Sequence, residues 1–347
     1  MLLTRPDRQQ TIGRRQVVRL HCQPDGAASS HTCAPRRRQI APSARAVRSR
    51  WFGRSRWAVA ALFLHTNLRR SFAANPAPTL IRDLVSSYVL AESSSAEFQT
   101  WSFGPPERAK VELTEFLASE LKSFAAADGS CSLHQLRKWM INSSVVLPLL
   151  DAVFRTAFEL KLLDEEVNLR GFPMPTIPFC LGVDWRRMQS LLLVPSLFFL
   201  NQHLPNEHRR QWKLLFNSRV HGESFSKLAN QTGGHGACVI LVKSSDGCLF
   251  GAFASDGFVM GPSFVGDERS FLFTIEPRMA IYNATGYNNN FAYLNNHQQQ
   301  MPNGLGMGGS IDSGFWSFFL DHDLDGRHST QANARSASPF FHSTLFQ

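Results

Sequence analysis

Several groups of side chains in this sequence have types and spacings that could support chemistry, and an acidic run at 321–326 is the most suggestive of them. Asp321, Asp323 and Asp325 stand before Gly326 in the D-x-D-x-D-G pattern that opens a calcium-binding EF-hand loop. The twelfth position of that loop is Ala332, so the bidentate glutamate that supplies the strongest ligand is missing. The three aspartates are therefore weak metal candidates, and we expect no bound metal.

A nucleophile and a reactive thiol are the next two candidates. Residues 222–226 come one residue short of the G-x-S-x-G nucleophile elbow, because Ser226 stands where the last glycine must be. Cys238 or Cys248 could instead handle peroxide. A reactive thiol needs a lowered pKa and a basic neighbour, and Lys243 is the basic residue close in sequence. We expect no catalytic residue and no enzyme activity, with peroxide handling at either cysteine as the alternative.

Glycine is concentrated in the stretch 302–309, which contains Gly304, Gly306, Gly308 and Gly309. The first, second and fourth of these formally satisfy G-x-G-x-x-G, a phosphate-binding pattern. That pattern needs a strand before it and a helix after it. Here a polar run precedes it and an aromatic, strand-like run follows it. The glycines therefore predict a tight turn of specific shape and no cofactor.

The positive charge of the chain is concentrated at one end. The 347 residues carry a formal net charge of +9 and are 43% hydrophobic, which is enough to bury a substantial core. Residues 1–75 hold 15 Arg and 2 Asp, with no Lys or Glu, so that residues 76–347 carry −4. A mildly acidic folded part gives no electrostatic support for nucleic-acid binding. Three interpretations of residues 1–75 stay open: a disordered basic arm, a mitochondrial presequence, or sequence wrongly included in the gene model.

The lengths of the apolar runs and the spacing of the cysteines indicate in which cellular compartment the protein resides. The longest apolar runs, at 57–65 and 191–200, are far shorter than the roughly 20 residues of a membrane-spanning helix. The six cysteines form no C-x-x-C pair and no dense framework, which fits a reducing environment. We expect a cytoplasmic protein without a membrane span, or a mitochondrial one if residues 1–75 are a presequence.

Hydrophobic periodicity divides the rest of the chain into three parts. Apolar residues at helical spacing predict a helical region at 76–164. Its segment 127–133 resembles the centre of an EF-hand loop. With Gly129 at the sixth position, Phe124, Ala126 and Gln135 stand at the first, third and last ligand positions, so the loop is degenerate. Residues 165–210 are predicted to be a linker with an amphipathic helix at 183–201. Residues 211–347 contain short apolar runs separated by turn signals, which predict antiparallel strands.

These features predict the α+β class, with a helical N-terminal region followed by a sandwich of two antiparallel sheets. The predicted strands share a length of four to six residues and flanking turn residues. They lie at 238–242, 249–254, 270–275, 279–282 and 291–294.

Residues 211–333 resemble a TLDc domain. Five motifs carry the resemblance in order, at 214–218, 222–225, 250–254, 271–273 and 303–309. The stretches 221–228, 285–288 and 301–309, with the EF-hand-like helical region ahead of them, most resemble the mTOR-associated branch of that family. The residues expected to maintain the fold are Gly222, Ser224, Phe225, Gly251, Gly304, Gly306, Gly308 and Gly309.

The resemblance implies a two-sheet antiparallel sandwich flanked by helices, without catalytic residues or cofactors. It implies a cytosolic interaction protein that engages the peripheral sector of the vacuolar proton pump at the lysosomal membrane. It also implies roles in mTOR signalling and in resistance to oxidative stress. A scaffold without pump contact is a further possibility.

One departure from the family pattern concerns the end of the domain. The family's last strand carries a Glu-x-Trp signature, which this sequence lacks before Gln347. We therefore expect the closing strand of a sheet to be missing or replaced, with a possible exposed edge.

Overall fold

The computed structural model describes residues 16–23, 77–127, 129–158, 175–244, 247–298, 300–309 and 316–322. The chain divides into two compact units. The helical unit is Gln23–Trp212, and the sandwich unit comprises Met1–Cys22 and Lys213–Gln347. Apart from strands at Gln16–Gln23 and Phe179–Leu181, helices precede the strands of the two antiparallel sheets, so the predicted α+β class and sandwich are confirmed.

Both units are built from short regular elements. In chain order, the elements of the described residues are β1 (Gln16–Gln23), α1 (Ala77–Glu92), α2 (Glu107–Phe124), α3 (Leu133–Asn142), α4 (Val146–Phe158), β2 (Phe179–Leu181), α5 (Val194–His203), β3 (Gln211–Asn217), α6 (Ser218–His221), α7 (Phe225–Thr232), β4 (Cys238–Lys243), β5 (Leu249–Ala254), β6 (Gly261–Val265), β7 (Phe271–Glu276), β8 (Ala280–Asn283), β9 (Ala292–Asn295), β10 (Gly304–Met307) and β11 (Phe318–Asp321). Short 3-10 helices lie at Phe98–Thr100 and Asn206–His208.

The helical unit forms where the sequence places apolar residues three and four positions apart. On α2, Leu113, Leu117 and Leu121 are buried, and they form one face because residues at this spacing share a side of a helix. Helix α1 packs against α2 and α4, and α2 packs against α3 and α5. The predicted helical region is therefore a packed helical layer.

Helix α5 differs from the amphipathic helix predicted at 183–201. It begins only at Val194, and all residues from there to Gln202 are buried. A helix that is buried on every side lies inside a core, so the amphipathic assignment is wrong. Its last turn is held by Arg209, whose guanidinium donates to the carbonyl oxygens of Gln202 at 2.8 Å and Leu204 at 2.7 Å.

The loop between α2 and α3 is held by a capping box. The Ser132 hydroxyl accepts a hydrogen bond from the Gln135 amide at 3.3 Å, and the Gln135 side-chain oxygen accepts one from the Ser132 amide at 2.7 Å. Gly129 has a φ of 77°, which favours glycine. Gln135, which stands at the last ligand position of the degenerate EF-hand loop, therefore stabilises a helix start.

Two sheets form the sandwich unit. In the larger one the strands run in the order β3-β1-β4-β5-β7-β8, and in the smaller one in the order β11-β10-β9-β6. Strand β4 pairs with β5, and β9 with β10, in antiparallel registers. The five predicted strands correspond to β4, β5, β7, β8 and β9, with bounds shifted by one residue at most. Cys238 lies opposite Ala254, so Cys238 and Cys248 do not face each other across the two strands.

The core of the sandwich unit lies between the two sheets and under α7. The larger sheet contributes Cys238, Ile240 and Val242, and the smaller one contributes Leu294 and Leu305. All five are fully buried. Alternation along β4 places every second residue on this core face, as expected for a strand of a sandwich.

Two predictions for the sandwich unit need correction. The tight turn at 302–309 is wrong for Gly304–Met307, which form strand β10 between β9 and β11. The glycine content misled the assignment, because glycine can also stand in a strand where a neighbour approaches closely. The predicted disordered arm does not hold for Gln16–Gln23, which pair with β4 as β1. The rest of 1–75 lies outside the described residues.

Among the described residues, no single helix is long and apolar enough to cross a membrane. The helical segments His134–Asn142 and Val146–Phe158 meet the length and composition criteria only as a pair, and that pair is bent by 91°.

Candidate functional site: the glycine strand and its aromatic cap

Strand β10 supports a platform of large aromatic rings on the face of the small sheet that points away from Leu305. Gly306 lies opposite Tyr293 on β9 and opposite Phe319 on β11. Residues directly opposite each other share a face, so the glycine is flanked by an aromatic residue on each side. Leu305, its neighbour in sequence, points into the core.

Four rings form the aromatic cap, namely Phe264, Tyr293, Trp316 and Phe319. Ring centroids lie 4.8 Å apart for Trp316–Phe319, 5.2 Å for Tyr293–Trp316 and 5.4 Å for Phe264–Tyr293. The hydroxyl of Tyr293 donates to the carbonyl oxygen of Pro302 at 2.8 Å, and burial raises the pKa of this tyrosine. The four rings form a packed apolar cluster, and the Tyr293 hydroxyl is engaged by the Pro302 carbonyl oxygen.

The cap explains why β10 contains glycine. A Cβ at Gly306 would lie 2.6 Å from Trp316 Cε3 and 2.7 Å from Phe319 Cδ2. At Gly304 it would lie 2.4 Å from Phe319 Cζ and 2.6 Å from the Leu320 carbonyl oxygen. Carbon atoms in contact normally lie about 3.5–4.0 Å apart, so neither position can carry a side chain without displacing its neighbours. Both glycines have ordinary strand backbones and are required by close approach.

Gly251 on β5 meets the same constraint on the larger sheet. A Cβ there would lie 1.9 Å from the Ile240 carbonyl oxygen and 2.8 Å from Phe273 Cζ. The obstructing oxygen belongs to the neighbouring strand, so a side chain at this position would separate β4 from β5. Gly251 is thus a packing residue.

The stretch 222–225 forms the start of α7. Gly222 has a φ of 89° and ends the short helix α6, with its amide donating to the Ser218 carbonyl oxygen at 3.0 Å. The Ser224 hydroxyl accepts from the Lys227 amide at 3.4 Å and caps α7. Phe225 lies in the core. These residues act in capping and packing.

Gly308 and Gly309 follow β10 in sequence and form hydrogen bonds with the loop that precedes β9. Gly308 has a φ of 64°, and its amide donates to the Asn290 carbonyl oxygen at 2.9 Å. The Asn290 side-chain amide donates to the Gly309 carbonyl oxygen at 2.5 Å. The loop held in this way presents Tyr287, whose side chain is 76% exposed. Tyrosine is enriched in protein interfaces, which makes this loop the best-defined contact candidate of the unit.

The other loop beside the glycine strand is also fixed by asparagines. Asn303 accepts from the Gln298 amide and donates to the Gln298 carbonyl oxygen, both at 2.9 Å. Asn296 donates to the Ser226 hydroxyl at 3.2 Å, which ties the loop to α7. Both loops are therefore preorganised, and preorganisation lowers the entropic cost of binding a partner.

The acidic run predicted as a weak metal candidate is only partly described. Asp321 ends β11 opposite Gly304, and its carboxylate contacts His322 Nδ1 at 2.5 Å. Asp323 and Asp325 lie outside the described residues. Within the described part of the chain, no group of three or more His, Cys, Asp or Glu side chains is placed to hold a metal ion.

The cysteines proposed to handle peroxide occupy different environments. Cys238 is fully buried on β4, where peroxide has no direct access to its sulfur atom. Cys248 is half-buried just before β5, and its carbonyl oxygen accepts from the Ser244 amide at 2.9 Å. In the helical unit, burial raises the pKa of Cys180 to about 12, so this thiol stays protonated and unreactive.

The sequence did not predict the aromatic cap or the hydrogen bonds between Asn290 and the two glycines at 308 and 309. A usable signal was present: glycines alternate along β10 while bulky aromatics follow at Trp316 and Phe319, which is the pattern of large residues packing over small ones. No signal in the sequence identified Phe264, because β6 is short and polar at its start.

Comparison with known proteins places these features in a family. The sequence model of the TLDc domain matches residues 187–346. The chain is 36% identical over 259 residues to "MTOR-associated protein MEAK7" of Gallus gallus, which covers 71% of this chain and 54% of that protein. It is 35% identical over 259 residues to the protein of the same name from Homo sapiens, covering 71% of this chain and 55% of that protein.

A second group of relatives shares a smaller part of the chain. "Oxidation resistance protein 1" of Bos taurus is 32% identical over 136 residues, which is 39% of this chain and 15% of that protein. The chain spans about half the length of the MTOR-associated relatives it matches.

Proposed function

Because this chain belongs to the TLDc domain family, we propose that it is a non-enzymatic regulatory protein whose sandwich unit docks onto the peripheral sector of the vacuolar proton pump. Docking at the lysosomal surface would couple the pump to mTOR signalling. The proposal rests on the family resemblance and on the names of the MTOR-associated relatives.

The observation that carries the non-enzymatic part is the role of the eight signature residues. Each of them either excludes a Cβ, adopts a positive φ, caps a helix or fills the core, apart from Gly309, which accepts the hydrogen bond from Asn290. The motifs that identify the family therefore have structural roles in the sandwich unit. The contact we propose is the loop that presents Tyr287, since it is preorganised by Asn290 and strongly exposed.

The test is a pull-down from detergent-solubilised lysosomal membranes with the purified chain, followed by mass spectrometry of the retained proteins. We expect pump subunits to be retained and Tyr287→Ala to reduce their recovery at least fivefold. The matched control is Ile141→Ala, which removes another exposed apolar side chain, 74% exposed, from the helical unit. Equal recovery with all three proteins would contradict the proposed contact, and absence of pump subunits throughout would contradict docking and favour the scaffold without pump contact.

Peroxide handling is the alternative, which the oxidation-resistance relatives support by name. The burial of Cys238 disfavours it at that residue, so Cys248 is the thiol to test. Peroxide consumption by the purified chain that is lost in Cys248→Ser, but kept in Cys131→Ser, would favour the enzyme over docking.

A further inference from the structure

A serine and a histidine form a direct side-chain contact in the helical unit. Ser144 lies in the short turn between α3 and α4, and His203 is the last residue of α5. The Ser144 hydroxyl oxygen lies 3.0 Å from His203 Nε2. At this distance a histidine can take the proton of a serine that acts as a nucleophile.

The direction of this hydrogen bond follows from the contact of the other ring nitrogen. His203 Nδ1 lies 2.7 Å from the Phe199 carbonyl oxygen, which can only accept, so Nδ1 carries the proton. Burial lowers the pKa of His203 to about 4, and the positive charge of Arg209 acts in the same direction. The ring is therefore neutral at pH 7, and its bare Nε2 accepts the hydrogen bond that the Ser144 hydroxyl donates.

Aromatic packing holds the imidazole ring in this orientation. The ring of His203 contacts Phe199, with centroids 4.7 Å apart, and Phe116 of α2, with centroids 6.4 Å apart. The contact thus combines a nucleophile, a base and a group that orients the base. The Phe199 carbonyl oxygen takes the place of the carboxylate in a Ser-His-Asp triad.

Ser144 differs from its neighbour Ser143 in exposure and in the partner of its hydroxyl. Ser144 is exposed, whereas Ser143 is buried. The Ser143 hydroxyl donates to the Glu120 carboxylate at 2.7 Å and accepts from the Val145 amide at 3.3 Å. A reagent from solvent can therefore reach Ser144 but not Ser143.

The start of α4 places backbone amides and apolar side chains close to Ser144 in sequence. The amides of Val146 and Leu147 lie in the first turn of α4, where N–H groups have no acceptor within the helix. Such donors stabilise the oxyanion that forms when a serine attacks a carbonyl carbon. Ile141 and Leu147, three residues to either side of Ser144, are 74% and 46% exposed, which suits a short apolar acyl chain.

We propose that Ser144 is an acylation site, which accepts an aliphatic acyl group from a thioester or an activated ester. The Ser144 oxygen attacks the carbonyl carbon and forms the new C–O bond, while its proton passes to His203 Nε2. The bond from that carbon to the leaving thiolate or alkoxide breaks with its electron pair, and His203 gives the proton to the leaving group. The chain itself is modified once and no turnover is needed, so the site goes beyond pump docking and is compatible with a non-enzymatic regulatory role.

The test exposes the full chain at pH 7 to p-nitrophenyl butyrate or to the thioester S-butyryl-N-acetylcysteamine, followed by trypsin digestion and mass spectrometry. The tryptic peptide 139–155 contains Ser143 and Ser144 but no lysine or cysteine, so fragmentation assigns a butyryl group to one of the two hydroxyls. The matched control is Ser86, an exposed serine of α1 whose hydroxyl donates to the Arg82 carbonyl oxygen at 2.9 Å.

We expect Ser144 to be acylated at least tenfold faster than Ser86 by at least one of the two reagents. Reaction with only one of them identifies the class of acyl donor and supports the site. Equal rates at Ser144 and Ser86 with both reagents, or a butyryl group on neither serine, would overturn the proposal.

Two variants separate the roles of the serine and the histidine. Ser144→Ala should leave peptide 139–155 without a butyryl group, since Ser143 is buried. His203→Gln keeps an acceptor for the Ser144 hydroxyl but removes the base, so acylation of Ser144 should slow at least tenfold while that of Ser86 stays the same. Circular dichroism checks that each variant is folded, and an unchanged rate at Ser144 in folded His203→Gln would overturn the proposal.

The pH profile of the unaltered chain tests the base without any variant. Because the pKa of His203 is about 4, the rate constant for acylation of Ser144 should be level from about pH 5.5 to about pH 8. A hydroxyl that reacts without a base must first ionise, so the rate constant at Ser86 should rise about tenfold per pH unit. The same rise at Ser144 would show that His203 does not take the proton and would overturn the proposal.

Discussion

Replacement of Gly306 by alanine tests whether the glycine strand is shaped by its aromatic cap. The new Cβ would lie 2.6 Å from Trp316 Cε3 and 2.7 Å from Phe319 Cδ2. To restore ordinary carbon contacts the rings must move by about 1 Å, and overpacking of this kind costs about 1–3 kcal/mol. The alanine recovers about 0.5–1 kcal/mol by restricting the unfolded chain. With mid-range values for both contributions, we expect the free energy of unfolding to fall by about 1 kcal/mol.

The assay is urea unfolding followed by tryptophan fluorescence, with thermal melting as a second measurement. For a unit of this size the melting temperature should fall by about 2–4 °C per kcal/mol. The matched control is Gly104→Ala, since its Cβ would meet Leu193 Cδ2 at an ordinary 3.4 Å and the backbone is not in the positive-φ region. This control should leave stability unchanged or slightly raised.

A double-mutant cycle with Trp316→Leu identifies the cause. The smaller side chain makes room for the Cβ, so Gly306→Ala should cost at least about 1 kcal/mol less in the Trp316→Leu background than in the unaltered chain. If Gly306→Ala leaves stability unchanged, or if its cost is the same in both backgrounds, the close approach of the cap to β10 does not determine the choice of glycine.

Three further predictions concern burial and pH. Gly251→Ala should destabilise the chain more than Gly306→Ala in urea unfolding, because its Cβ meets a backbone oxygen at 1.9 Å that can move only if β4 and β5 separate. Burial raises the pKa of Glu92, so the folded chain loses stability as pH rises above the ordinary glutamate pKa and the buried carboxyl must ionise. Glu92→Gln should therefore stabilise the chain at pH 7. Unfolding curves measured at pH 4 and pH 7 should differ less for this variant than for the unaltered chain. Burial lowers the pKa of His203 from about 6.5 to about 4, so the free energy of unfolding should fall by about 3 kcal/mol as pH drops from 6.5 toward 4. His203→Gln should remove this dependence in the same titration.

The short strands of the sandwich could be predicted because each is a local pattern. β4 and β5 are apolar runs separated by turn residues, and their bounds match those of the structure to one residue. The sequence also carries a signal for the start of α7, since a serine before an apolar helical face is a local capping signal and Ser224 stands at that position. Predictions of this kind need only neighbours in sequence.

The elements that were missed depend on partners distant in sequence. β10 contains two glycines and reads as a turn until Trp316 and Phe319 are placed over it. β1 carries Arg19 and reads as part of a solvated arm, and only its register with β4 makes it a strand. In both places the local preference and the tertiary position disagree, and such conflicts are expected at sites with a special role.

Substitutions at packed glycines and at the exposed Tyr287 should affect partner binding in different ways, the first by unfolding the sandwich unit and the second by removing a contact. Gly251, Gly304 and Gly306 are obstructed by atoms of neighbouring strands or of the cap, so substitutions there would weaken binding only through stability. Tyr287 is exposed on a loop held by Asn290, so its removal should weaken binding at unchanged stability. If Tyr287→Ala lowers recovery of the pump and the melting temperature together, the loop is part of the structural body, and the partner is bound elsewhere.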